Sequence, residues 1–327
     1  MSGMCYGQRV PNTTTFSFWD VSDVIYGDHN ANRNLSQAFT DSNAAYFDAN
    51  YGSKTMNPKT LYGFRNYGMS FTTVTYLNYG VVTDIIRSIE ISNNGQYVYL
   101  LYNPATNTSE LRKYALSTPY DISTISSTYQ SLNLSPLISW YQTTYAPRGL
   151  YISEDEHTIY FMYGNRFVYF IELNTPNDLS SWFSVGNLAL DVNTFYTPQD
   201  LWVSDIRYAT HGGNNNYEGS RSYYTYYPYQ FVNWTWENDG GATSTGFEFN
   251  SDGSKYYIIN TYNTAVLLEY ETGIIPFVPH DTYGTALEGW DLSSTVSIPA
   301  DFCFSTNRAF MYVAKNNVIY QFGLPSL

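Results

Sequence analysis

Short stretches in which apolar and polar residues alternate recur along this chain, each bounded by Gly, Pro, Asn or Asp. Gln96 to Tyr102, Thr158 to Tyr163, Lys255 to Asn260 and Ala309 to Ala314 are rich in Tyr, Val, Ile and Phe, residues that suit a pleated, half-buried surface. They predict strands. Asn94-Gly95 and Asp252-Gly253 each precede one of these runs, and such dipeptides reach positive φ cheaply, as a tight hairpin needs.

The strands recur in repeats. Ser88 to Ser123, Gly149 to Ser180, Gly246 to Thr272 and Asp301 to Leu324 each read as strand, polar turn, strand, loop, strand, and Ala45 to Tyr79 and Asp200 to Trp236 are weaker copies. First-strand positions fall about 51 residues apart on average, close to what a four-stranded propeller blade needs. The pattern predicts one all-β domain over residues 1–327, a β-propeller of six four-stranded blades, with seven as the alternative. An Asp-Val/Ile/Leu-Ser triplet begins at Asp20, Asp121, Asp178 and Asp291, and its Asp and Ser suit a local turn. The last repeat stops before its triplet, while the N-terminal segment supplies one. Residues 13–26 are therefore expected to pair with the C-terminal blade and close the ring.

Leu116-Ser-Thr-Pro-Tyr-Asp-Ile-Ser123 and Leu173-Asn-Thr-Pro-Asn-Asp-Leu-Ser180 resemble the blade ends, Tyr-x-x-x-Leu-Ser/Thr-x-Pro-x-Asp-Ile/Leu-Ser, of a family of β-propeller repeats found in surface and virion-associated proteins of microbes and their viruses. The resemblance implies the fold and an exposed setting. It implies no catalytic residue.

Composition narrows the function. Of 327 residues 19% are aromatic, 35 being Tyr, and only 13% are charged, so there is ample surface to bury. A net charge of −13 with pI near 4.5 argues against a grip on phosphate backbones. No apolar run approaches the ~18 residues of a membrane span, and Met1 to Val10 lacks the apolar core of a secretory leader. Nucleic acid and membrane insertion are thus not expected. Ser, Thr, Asn and Gln replace the usual Lys and Glu, which points to a virion or extracellular surface.

Candidate chemistry is sparse. The four histidines, His29, His157, His211 and His280, stand at no metal-ligand spacing, so no cofactor is expected, although Ca²⁺ is the ion an acidic channel would take. Glu90, Glu248 and Asp301 lie in or beside aligned first strands, with Tyr151, Trp202 and Cys303 at the matching places of other repeats. They read either as an acid-base or cation site on a propeller axis or as packing with satisfied polar groups. Cys5 and Cys303, the two cysteines, read as a bridge across the closure or as two buried thiols. Tyr217 to Trp236 is the densest aromatic tract. Tyr223, Tyr224, Tyr226 and Tyr227 are its candidate contacts for a host glycan or protein, and ordinary strand is the competing reading. The expectation is a non-enzymatic surface protein for attachment or particle decoration. The alternatives are a propeller hydrolase or lyase using the acidic channel and a structural part whose loops bind neighbouring subunits.

Overall fold

The computed structural model describes residues 73–78, 84–104, 109–138, 147–163, 167–189, 198–203, 207–214, 217–224, 231–237, 244–250, 252–260, 265–272, 288–292, 296 and 299–324. They form strands grouped into five four-stranded antiparallel sheets. β1 (Thr73–Asn78) comes first in the chain and joins the last sheet. Sheet one is β2 (Asp84–Ile91), β3 (Tyr97–Pro104), β4 (Glu110–Leu116) and β5 (Ile125–Asn133); sheet two is β6 (Pro147–Ile152), β7 (Thr158–Tyr163), β8 (Phe167–Leu173) and β9 (Trp182–Ala189). Sheet three is β10 (Pro198–Val203), β11 (Arg207–Asn214), β12 (Tyr217–Tyr224) and β13 (Phe231–Glu237); sheet four is β14 (Ser244–Phe249), β15 (Lys255–Asn260), β16 (Val266–Glu271) and β17 (Glu288–Asp291). β18 (Asp301–Phe304), β19 (Phe310–Lys315) and β20 (Val318–Gly323) make sheet five with β1.

First strands touch in sequence, β2 against β6, β6 against β10, β10 against β14 and β14 against β18, and β18 touches β2. The arrangement is all-β and β-propeller-like. Its core lies between neighbouring sheets. Tyr99, Leu101 and Leu111 of sheet one pack with Leu150, Phe161 and Ile171 of sheet two. Ile89 and Leu100 pack with Tyr312 and Ile319 of sheet five, and sheets four and five meet through Leu267, Trp290, Phe302 and Val313. Each face-to-face pair buries large apolar side chains at about 1.5–3 kcal/mol apiece.

Among the described residues there are five sheets, and β1, the described strand within Ala45 to Tyr79, belongs to the last of them. It is the outer strand of sheet five, pairing antiparallel with β20 from Thr73↔Gly323 to Asn78↔Val318. Residues 13–26, expected to pair with this blade, lie outside the described residues. Four-residue turns replace tight two-residue hairpins. The Ser92 amide donates to Tyr97 O at 2.9 Å, and of Asn94-Gly95 only the glycine takes positive φ, 71°.

The Asp-x-Ser triplets do two different jobs. Asp121 and Asp178 cap single 3-10 turns, Ile122–Thr124 and Leu179–Ser181, accepting from the Ser123 and Ser180 amides at 2.9 and 3.0 Å. Ile122 and Leu179 are buried beneath them. Just ahead, Tyr120 and Asn177 take φ of 64° and 59°, which turns their carbonyls towards the preceding sheet. Tyr120 O accepts from Tyr312 Oη at 2.6 Å and Gln321 Nε2 at 2.9 Å, and Asn177 O accepts from Lys113 Nζ. Asp291 instead ends β17, the fourth strand of its sheet, and the Leu292 amide after it donates to Ala265 O at 2.8 Å, as the Leu134 amide donates to Ser109 O at 2.8 Å in sheet one. Asp20 lies outside the described residues.

Candidate functional site

The first strands of four sheets carry a bulge in which two residues face one partner residue, at Arg87 and Ser88, Arg148 and Gly149, Gln199 and Asp200, and Thr245 and Gly246. Bulges bend a strand and re-aim its side chains. The second bulge residues, Ser88, Gly149, Asp200 and Gly246, occupy matching places with Asp301 of sheet five, each one residue ahead of a buried apolar residue: Ile89, Leu150, Leu201, Phe247 and Phe302. Each meets the main chain of the following sheet. Ser88 Oγ accepts from the Leu150 amide at 2.9 Å, Asp200 Oδ2 from the Phe247 amide and Asp301 Oδ2 from the Ile89 amide at 3.0 Å. Gly149 and Gly246 have φ of +53° and +78°, and a Cβ there would lie 2.5 Å from Leu201 N and 2.3 Å from the Phe302 ring. The acids in this row therefore tie sheet to sheet.

Asp301 accepts twice more, from Ser88 Oγ and from the Phe302 amide at 2.8 Å. Burial pushes its carboxyl up to about 6, against these donors. Asp200 is raised well above the usual carboxylate range by burial and then by the charge of Asp301. Like charges so placed disfavour ionisation of both carboxyls together.

Two residues further along each strand stand Glu90, Tyr151, Trp202, Glu248 and Cys303, opposite Tyr99, Tyr160, Ala209, Tyr257 and Tyr312. Glu248 Oε2 accepts from the Phe304 amide at 2.8 Å, and Oε1 pairs with Arg308 at 3.3 Å. Arg308 also donates to Phe249 O at 2.6 Å and lies 4.4 Å from the Phe304 ring centre. Burial pushes the Glu248 carboxyl up to about 7, opposed by Arg308 and the Phe304 amide. Glu90 is raised by burial, then by the charges of Glu248 and Asp301.

Between the rows lies a cavity of about 40 Å³ lined by Glu90, Tyr151, Asp200 and Glu248 over Leu150 and Phe247. That volume admits water, each molecule needing roughly 10–15 Å³, and is far below the ~300 Å³ where small-molecule pockets begin. Among the described residues no group of three or more His, Cys, Asp or Glu is arranged to hold a metal ion.

The structure brings Glu90, Glu248 and Asp301 together, as the repeat alignment predicts, but puts Asp301 in a different row from the two glutamates. Asp200 joins the set. Its signal in the sequence is its place two residues before Trp202, matching Asp301 before Cys303. Cys303 is buried at 2% exposure, and Cys5 lies outside the described residues, so the bridge has one described end. Tyr223 and Tyr224 end β12, whose backbone alone is described, and Tyr226 and Tyr227 lie outside the described residues.

No protein-family model matches the chain, and no curated protein does. Among solved structures it is similar to a putative 6-phosphogluconolactonase from Bacteroides uniformis, at 11% identity over 69% of this chain and 77% of that one, TM-score 0.43. The Bacteroides fragilis counterpart gives 12% identity, 69% and 76% coverage and TM-score 0.41. A β-propeller domain from Myceliophteria thermophila gives 9% identity, 73% and 83% coverage and TM-score 0.37.

Proposed function

We propose that this chain is a non-enzymatic surface protein, a virion or appendage component, in which β1 completes the last blade of a propeller and aromatic side chains on the outer strands attach to a glycan or protein. One observation carries the reading. Trp182 and Phe183 open β9, the outermost strand of sheet two, and stay 39% and 56% exposed in a molecule that buries most of its described rings. Tyr129, on the outermost strand of sheet one, is 47% exposed. Exposed rings with neighbouring polar groups are the usual anchors of recognition. The axial acids support the same reading, since Asp200, Asp301 and Glu248 each accept a main-chain amide of the next sheet.

Binding of the purified chain to intact host cells, before and after periodate cleavage of their glycans, tests the proposal. Trp182→Ala and Phe183→Ala should each weaken binding by ~1–3 kcal/mol with an unchanged melting temperature. Parent-like binding by the double variant would overturn it, and periodate resistance would assign a protein receptor.

A second reading, hydrolase or lyase, is favoured by the shared cavity of Glu90 and Glu248, both with raised pKa, since acid-base pairs are built from such perturbed groups. Turnover of ester or glycoside substrates that disappears in Glu90→Gln and Glu248→Gln would establish it.

A further inference from the structure

The first bulge residue of each inner strand forms a third row, and its chemistry is opposite to that of the acids. Sheets one and two place Arg87 and Arg148 there, and sheet four places Thr245. β2 and β6 are adjacent, and the Ser88 Oγ contact to the Leu150 amide at 2.9 Å pins them beside both arginines. The two guanidinium groups are half-buried and act on each other. Burial lowers the pKa of both, and the charge of Arg87 lowers that of Arg148 further. Among the described residues no carboxylate offsets either charge, and the buried Arg87 Nε has no hydrogen-bond partner. Thr245 Oγ1 is a second buried polar atom in this row without a partner.

Two other described arginines are paired. Arg112 meets Glu110 at 2.7 Å and Arg308 meets Glu248 at 3.3 Å. Two like charges withdrawn from water with no counter-charge are costly, and a guanidinium's planar fork of donors matches the oxygens of a carboxylate or phosphate. Glu90 stands three residues further along β2, about 10 Å at strand rise, Asp301 is taken up by Ser88 and the Ile89 amide, and neither acid acts on the two guanidinium groups.

We propose that Arg87 and Arg148 form a binding site for a small oxyanion, a phosphate or carboxylate group. The ligand neutralises both guanidinium groups and bridges sheets one and two. Its binding is therefore coupled to the stability of the ring.

The test is thermal melting at pH 7 and fixed ionic strength, with sodium chloride replaced stepwise by phosphate in one arm and acetate in the other. The parent protein should gain several degrees with a saturable dependence on phosphate, and the stronger arm assigns the class. Arg148→Gln removes a repelling charge, so in chloride it should melt at or above the parent temperature, and it should lose the anion-dependent gain. Phosphate strengthens folding generally by exclusion from protein surfaces, so an equal gain in the parent and in Arg87→Gln/Arg148→Gln would overturn the site. A clear drop of Arg148→Gln in chloride would also overturn it, since it would mean the guanidinium already has its counter-charge. Should the double variant not fold, titration calorimetry of the parent with phosphate decides: saturable heat near one site per chain supports the proposal, and no heat ends it.

Discussion

At the residue scale, glycine and aspartate solve one problem in two ways. Neighbouring sheets need inner strands close enough to share main-chain contacts, and a Cβ at Gly149 would meet backbone, Leu201 N at 2.5 Å, whereas one at Gly246 would meet chiefly the Phe302 ring. A ring can shift and a backbone amide cannot. Gly149→Ala should therefore destabilise more than Gly246→Ala, and both should exceed the ~1 kcal/mol set by positive φ alone; urea unfolding of the two variants checks the order. The carboxylates carry a pH signature. Glu248 sits near 7 in the folded chain against an ordinary 4.5, so the folded state binds more protons between those values. The stability this contributes is complete below about 4.5 and is lost as pH rises through 7. Asp301, near 6, acts in the same direction. The melting temperature should fall by several degrees from pH 5 to pH 8, and Glu248→Gln should flatten the upper part of that profile.

At the element scale, the blade-end motif works between sheets rather than within one. Gln321 on β20 accepts from the Ile122 amide at 2.9 Å and donates to Tyr120 O at 2.9 Å, joining sheet five to the turn that leads into β5. It is 7% exposed. Gln321→Leu keeps the volume but leaves the buried Ile122 amide without its partner, while Tyr120 O keeps its hydrogen bond from Tyr312 Oη, so denaturant unfolding should show a loss of about 1–3 kcal/mol. The motif's Pro, Asp and Ser were legible as a turn because local backbone chemistry fixes them. The partner strand was not, since a carbonyl's acceptor role leaves no trace in its own residue type. For the same reason Asp291-Leu292-Ser293 looks like the other triplets and occupies another place: three residues specify a local turn, not its position in a sheet. β1 supplies a further prediction. Truncation through Asn78 removes the partner of β20 and bares its edge, a template for intermolecular pairing, and light scattering should show association that the full chain does not.

At the scale of the whole molecule, successive sheets stack face to face, with first strands in contact from β2 round to β18 and back to β2. Function follows from what each zone leaves available. The acidic row is occupied by sheet-to-sheet contacts, no carboxylate among the described residues acts on the arginine row, and the rim shows Trp182 and Phe183. Alternating patterns, turn dipeptides and the repeat spacing determined that this chain is all-β and built of repeated antiparallel units, because side-chain periodicity and φ preferences are local properties. They also placed Glu90, Glu248 and Asp301 near one another, since equivalent positions of a repeat fall at equivalent places. Only the tertiary structure decided that five sheets are formed among the described residues, that residues 73–78 pair with β20, that Asp200 is buried within the field of Asp301, and that Arg87 acts on Arg148 across neighbouring strands. Those are relations between strands tens to hundreds of residues apart, set by how bulged strands pack side by side, and no local run of sequence encodes them.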